Sequence, residues 1–226
     1  MSTRSIQPLW HNKDIYLRIL KIVSVAIFLA SQATWLAVIL LDPSNRLTDF
    51  HIYDVFGQAI REGYDPYALH IQDANRIVAE RWGLTWRQLA LPDPVADTLA
   101  LHYSPPVQLL FSALANLSPL RGAMVWTLAS FVAYTLSVLV ISRMVLEHWI
   151  EPMLLVLASV LIPAFQVVSG GQVGMFMLLG MSLALWGWRK DIPWLTGLGA
   201  SVALMFKPLP VVMAFVGFVL IQEPGT

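Results

Sequence analysis

The chain has 226 residues, 57% of them hydrophobic and 12% charged, with zero net charge and no cysteine. That leaves too little charge to cover a soluble domain of this size, so the composition is that of an integral membrane protein. A zero net charge offers no footprint for nucleic acid, and the missing cysteines exclude disulfides, thiolate catalysis and sulfur-ligated zinc.

Arg4, Lys13, Arg18 and Lys21 precede an uncharged run at residues 22–41, with only Asp14 to offset them. As a helix this run is about 30 Å long, enough for a first span. Its basic flank places residues 1–21 in the cytoplasm. The run is too long for a cleaved signal peptide and lacks a small-residue cleavage site.

Residues 42–104 hold half of all charged side chains, nine acidic and five basic. Apolar periodicity through Val55, Phe56, Ala59 and Ile60 predicts an amphipathic helix there, with Thr48 as its N-cap. Asp49 and Tyr53 share a face of that helix, four residues apart, and Gly63 ends it. Gly63-Tyr64-Asp65-Pro66-Tyr67 is a turn-forming string, and residues 71–90 read as a second, polar helix. His102-Tyr103-Ser104-Pro105-Pro106 then leads into residues 105–120. Bounded by prolines, that stretch allows a helix of only about 13 residues, too short to cross, which is expected to lie on the outer interface. Residues 42–122 are therefore expected outside the cytoplasm.

Residues 123–142 are a second uncharged span, and residues 152–188 carry no charge at all. The latter stretch accommodates two spans turning at Ser169-Gly170-Gly171-Gln172. Gly197, Gly199 and Ser201 in the last apolar region, residues 192–222, are expected to let helices approach closely. With Arg143, Arg189 and Lys190 inside, five spans in all reach Phe206, and Lys207 falls near the outer face. Further spans thus occupy residues 123–222 of a single, all-α, multi-span helical bundle. Nine Trp and six Tyr suit aromatic belts at both interfaces.

Two functional classes without chemistry fit such a bundle. A transporter subunit has no need of an aromatic outer segment of some 60 residues, and the internal repeats common in transporters are missing. A non-catalytic scaffold, or an inactive truncated remnant, is the stronger rival.

The order of motifs nevertheless resembles a known family. Asp49-Phe50 with Tyr53, Gly63-Tyr64-Asp65-Pro66-Tyr67, Tyr103-Ser104-Pro105-Pro106, Gly171-Gln172 and Lys207-Pro208 follow one another across most of the chain. This pattern is similar to that of the GT-C type glycosyltransferases that use polyprenol-phosphate sugars, most closely glycosyltransferase family 87. The chain departs from it at Gly174, where the family usually has Asn. It is also about half the usual length, so it looks like the N-terminal half of such a protein.

The resemblance implies an enzyme of the cell envelope, in the inner (plasma) membrane. It would transfer a mannose-like sugar, with inversion, from a polyprenyl-phosphate donor to a lipid or glycan acceptor on the extracytoplasmic side. Its partners would be that donor, that acceptor and membrane lipids, without nucleic acid. The resemblance carries the general base onto Asp49; the plainer alternative is a carboxylate that merely flanks a helix N-terminus. It carries substrate binding onto Tyr53, Tyr67, His102, Tyr103, Gln172 and Lys207. For the tyrosines, interfacial anchoring is an equal alternative, and for Lys207 snorkelling to the interface. Arg61 is a further phosphate candidate, although a solvated surface Arg is the simpler reading. His51, Asp49 and Asp54 lie on different helical faces and make a poor metal cluster, so no metal and no cofactor is expected. Asp54, away from the Asp49 face, is expected to tolerate Asn.

Overall fold

The computed structural model describes residues 13–42, 46–85, 88, 98–99, 103–145 and 150–206. In chain order the elements are α1 (Lys13–Leu41), α2 (Thr48–Arg61), β1 (Leu69–His70), α3 (Ile71–Trp82) and β2 (Thr98–Leu99). They continue with α4 (Pro105–Leu114), α5 (Pro119–Val145), α6 (Ile150–Ser159), α7 (Ile162–Ser169), α8 (Gly174–Arg189) and α9 (Pro193–Phe206). The two short strands pair antiparallel, Leu69 with Leu99 and His70 with Thr98. Everything else among the described residues is helix, turn or loop. This is an all-α membrane protein.

Two helices, Ile15–Leu41 within α1 and Pro119–Met144 within α5, are long and apolar enough to cross a bilayer. Both begin earlier than the apolar runs alone indicated, because their amphipathic first turns continue the helix. The apolar window of α5 is 44% buried and that of α1 only 22%. The difference follows from position: α5 has α6 and α8 packed against it, whereas α1 packs mainly on α6. Ile22, Val25 and Leu29 of α1 are left exposed, a surface suited to lipid.

α6 and α7 form one apolar segment bent by 52°. Pro163 sits in the first turn of α7, where a missing N–H costs nothing. The bend frees carbonyls at the end of α6, and side chains from other helices satisfy them. The Tyr134 hydroxyl donates to the Ala158 carbonyl at 2.8 Å, and the Ser31 hydroxyl donates to that of Ser159. A broken helix within lipid needs such partners.

α8 and α9 pack as an antiparallel hairpin through small residues. A Cβ on Gly180 would stand 2.7 Å from the Gly199 carbonyl oxygen, and one on Gly199 2.4 Å from the Ala184 nitrogen. The close approach expected at Gly199 is therefore present. Gly197 has open space around it and Ser201 is exposed, so neither serves that contact.

Hydrogen bonds assign the helix ends to two groups. The Arg189 guanidinium donates to the Met144 carbonyl, so α5 and α8 finish together at one end. At the other end, Leu47 and Asp49 meet the turn after α7, and the Ser104 hydroxyl donates to the Met205 carbonyl at 2.8 Å. α6 with α7, α8 and α9 each run between these two ends, and α2 and α4 cover the second one.

Three details differ from the expectations. α3 stops at Gly83, in the left-handed conformation (φ 64°), well short of residue 90. α4 has 10 residues and packs against α2; Val107, Gln108 and Phe111 are buried, with Phe111 stacked on Tyr53, and Leu109 is 67% exposed. Thr48 is the first helical residue of α2, not its cap: Leu47 holds that position in a left-handed conformation (φ 49°), without a side-chain hydrogen bond.

Candidate active site

The first turn of α2 takes its hydrogen bonds from the chain end of another helix. The Leu47 N–H donates to the Ser169 carbonyl at 2.6 Å, and the Asp49 N–H to the Gly170 carbonyl at 2.9 Å. Those carbonyls are orphans of the α7 C-terminus and those amides orphans of the α2 N-terminus, so each end satisfies the other. The opposed dipole ends attract as well.

The turn that makes this possible is built on glycine. Gly171 adopts φ +72°, its N–H donates to Val168, and the Gln172 N–H donates back to Val167, a Schellman closure. A side chain on Gly171 would also meet the Phe50 Cβ at 2.8 Å. The Gly171 carbonyl accepts from the Trp126 indole at 2.7 Å. The turn is thus clamped between α2 and α5.

Asp49, partly exposed, stands one turn before Tyr53 on α2. Tyr53 is buried, its ring stacked on Phe111 at 4.4 Å and edge-on to Trp126 at 5.8 Å. Its hydroxyl lies 3.0 Å from the Tyr103 hydroxyl. Burial is the main cause that raises the Tyr53 pKa, followed by Tyr103 and the negative charge of Asp49; the Val173 peptide N–H acts in the opposite direction. Burial likewise raises the pKa of Tyr103, Tyr53 lowers it and Asp49 raises it. Asp49, Tyr53, Tyr103 and the 170–173 turn therefore share one electrostatic site, and both phenols stay protonated.

Tyr103 is held at its backbone too. Its carbonyl accepts from Gln108 Nε2 at 2.9 Å and from the Tyr67 hydroxyl at 3.4 Å. Tyr67 is half exposed at the rim, with its N–H on Asp65 Oδ1 at 2.9 Å. Gln172 is partly exposed, its side chain folded beside Gly170. Of the residues expected at the site, Asp49, Tyr53, Tyr67, Tyr103 and Gln172 come together. His102 and Lys207 lie outside the described residues.

Phe111, Trp126 and Phe176, which pattern alone did not mark, complete the floor. With Phe50 they form a continuous aromatic cluster around Tyr53, with Phe206 stacked on Phe176 at 5.4 Å. Trp126 and Phe176 lie in apolar spans, where an aromatic looks like any other lipid-compatible residue.

The other side of α2 is structural. Asp54 is 2% exposed and receives Arg81 Nε at 2.7 Å and Nη2 at 2.6 Å, with the Trp82 indole at 2.9 Å. Arg81 also donates to the carbonyls of Ala115 and Leu117, joining α2, α3 and the α4–α5 turn. The expected tolerance of Asp54 to Asn is therefore corrected: this carboxylate is a buried bidentate partner. Arg61 donates to the Ala115 carbonyl at 2.9 Å, which turns a phosphate candidate into a tie between α2 and α4. His51 is fully buried, edge-on to Trp82 at 4.2 Å, and burial lowers its pKa to about 4.

The structure is thus a helical membrane bundle with a carboxylate, paired phenols and a glycine turn gathered at one end. The sequence model of glycosyltransferase family 87 matches residues 101–223, more than half of the chain. The chain belongs to glycosyltransferase family 87, and is a membrane glycosyltransferase. No curated protein and no solved structure matches it. The matched stretch contains Tyr103, Gln172 and Lys207; Asp49 and Tyr53 precede it and join it through the contacts above.

Proposed function

We propose that this enzyme transfers a mannose-like sugar from a polyprenyl-phosphate donor to a hydroxyl of a lipid or glycan acceptor. The reaction takes place at the extracytoplasmic face of the inner (plasma) membrane, across which the chain passes several times. The acceptor oxygen attacks the anomeric carbon, the bond from that carbon to the phosphate oxygen breaks, and the configuration inverts. The acceptor proton goes to the Asp49 carboxylate, and the polyprenyl phosphate leaves with the electron pair. Lys207 is the group that would balance the phosphate charge, with His102 among the substrate-binding residues.

One observation carries the reading. Asp49 is held by its own peptide on the Gly170 carbonyl, beside Tyr103 and within the end of the bundle that α4 covers. A base needs that kind of fixed geometry more than it needs a shifted pKa. The lipid-linked donor reaches the same depth from the side, through the bilayer.

The test is Asp49→Asn in the full chain, purified into nanodiscs with a polyprenyl-phosphate sugar and a hydroxyl acceptor. The substitution keeps size and polarity and removes the base. Transfer should fall by at least about 100-fold, with donor binding nearly unchanged. A near-parent rate would make Asp49 a helix-end residue and sink the assignment.

A further inference from the structure

Tyr53 and Tyr103 raise a question of direction: two hydroxyls 3.0 Å apart share one hydrogen bond, and either oxygen is able to donate. Their surroundings decide it. Tyr53 is 3% exposed, and among the described residues the acceptor that its hydroxyl meets is the Tyr103 oxygen, so its own hydrogen is directed there. Leaving that hydrogen buried and unbonded would cost about 1–3 kcal/mol. Tyr103 is partly exposed, and its own hydrogen is then directed away from Tyr53. Asp49, one helical turn before Tyr53, is close enough for its negative charge to act on both phenols.

We propose that Tyr103 positions the acceptor, its hydroxyl donating to the acceptor oxygen whose proton Asp49 takes, and that buried Tyr53 sets the direction of that donation without touching substrate. This rests on the glycosyl-transfer reading above. It changes the role of Tyr53 from substrate contact to positioning residue. The chemistry selects a hydroxyl acceptor. Such an oxygen has one hydrogen, which goes to Asp49, and two lone pairs. One lone pair takes the Tyr103 hydrogen; the other is left to attack the anomeric carbon. No proton leaves Tyr103 in the step. The site holds Tyr103 firmly enough for this, with Gln108 and Tyr67 on its carbonyl and the edges of its ring against Tyr53 and Phe111.

The experiment uses the full chain in nanodiscs with Tyr103→Phe, Tyr53→Phe and the double variant, each with donor and acceptor varied separately. Phenylalanine keeps the stacked rings, and thermal midpoints verify that each variant is folded. Tyr103→Phe should lower kcat/KM for the acceptor by about 10- to 100-fold and leave the KM for the polyprenyl-phosphate sugar unchanged. Tyr53→Phe should lower the same parameter by about 10-fold. The double variant should be no worse than Tyr103→Phe, because the two act as one unit. Losses that multiply in the double variant would overturn the directional chain. A raised donor KM with unchanged acceptor kinetics would move Tyr103 to the phosphate and equally overturn the proposal. Asp49→Asn, measured alongside, separates the two failures. If it is inactive while Tyr103→Phe keeps the parent rate, the positioning role alone is lost; if it keeps the parent rate, the Asp49 base assignment falls first; and no sugar transfer by the parent protein itself would overturn the glycosyl-transfer reading.

Discussion

Asp49 and Asp54 show how two carboxylates five residues apart on one helix acquire different work. A separation of five residues turns the side chain by about 140° around the axis, so one points to the aromatic site and the other into the packing against α3. Asp54 is the more demanding to remove. Asp54→Asn leaves the Arg81 guanidinium, only 14% exposed, without its bidentate partner, and should destabilise the fold by about 3 kcal/mol. A fall in the denaturation midpoint in mild detergent checks this; an unchanged midpoint would mean that the Ala115 and Leu117 carbonyls suffice for Arg81. His51 supplies a pH dependence with a definite sign. Burial lowers its pKa from an ordinary value of 6.5 to about 4. Between these values the unfolded chain binds a proton that the folded chain does not. Stability should therefore decline as pH falls from about 6.5 to about 4, by about 3 kcal/mol at most, and the His51 contribution should level off below that. His51→Phe keeps the ring against Trp82 and should remove this part of the acid sensitivity. An identical pH profile in the variant would show that other groups carry it.

At the scale of elements, the junction of α2 with the turn after α7 matters most. It brings the region around Asp49 to the stretch matched by the family. Gly171→Ala would strain a φ of +72° and push a Cβ to 2.8 Å from that of Phe50. The turn must then withdraw from the first turn of α2, so the Asp49 carboxylate should shift. Sugar transfer should fall by about 10- to 100-fold with the protein still folded in detergent; full activity would show that the turn does not position Asp49. Much of this region was legible beforehand. The tetrad Ser169-Gly170-Gly171-Gln172 signals a tight turn, and the spacing of Asp49 and Tyr53 signals a shared face. The partnership between them was not legible, because helix-end carbonyls and amides carry no residue-specific mark. The Thr48 cap failed for the same reason: a backbone carbonyl of Gly170 took the place that a hydroxyl would fill. Trp126 was hidden by its setting, since in an apolar span the pattern does not distinguish a lipid anchor from a donor to Gly171. The bonds of Arg61 to Ala115 and of Arg81 to Leu117 depend on a fold-level neighbour, the turn after α4, and the Arg81–Asp54 pair on the docking of α3 against α2, none of which a local period reveals.

For the molecule as a whole, the hydrogen bonds sort the helix ends into two sets without saying which side of a membrane each set faces. One set holds α2, α4, the Gly171 turn and Met205; the other holds Met144 and Arg189. The charges supply an orientation. Four basic residues, Arg4, Lys13, Arg18 and Lys21, precede the apolar core of α1, and Arg143, Arg189 and Lys190 fall at or beside the ends of α5 and α8. α1 enters α2 at its C-terminal end, so its basic end belongs with Met144 and Arg189. The positive-inside rule then predicts that this basic side faces the cytoplasm. The same rule predicts that the end bearing Asp49 is extracytoplasmic, the side on which the proposed donor must be presented. The absence of native cysteine makes this directly measurable. Single cysteines at Gln72, Ser118 and Lys190 occupy exposed positions, and an impermeant thiol reagent applied to intact cells should label the first two and miss the third. After permeabilisation Lys190→Cys should label as well. Labelling of Lys190→Cys in intact cells, with the other two protected, would invert the molecule and put Asp49 on the cytoplasmic face, beyond reach of an extracytoplasmic acceptor.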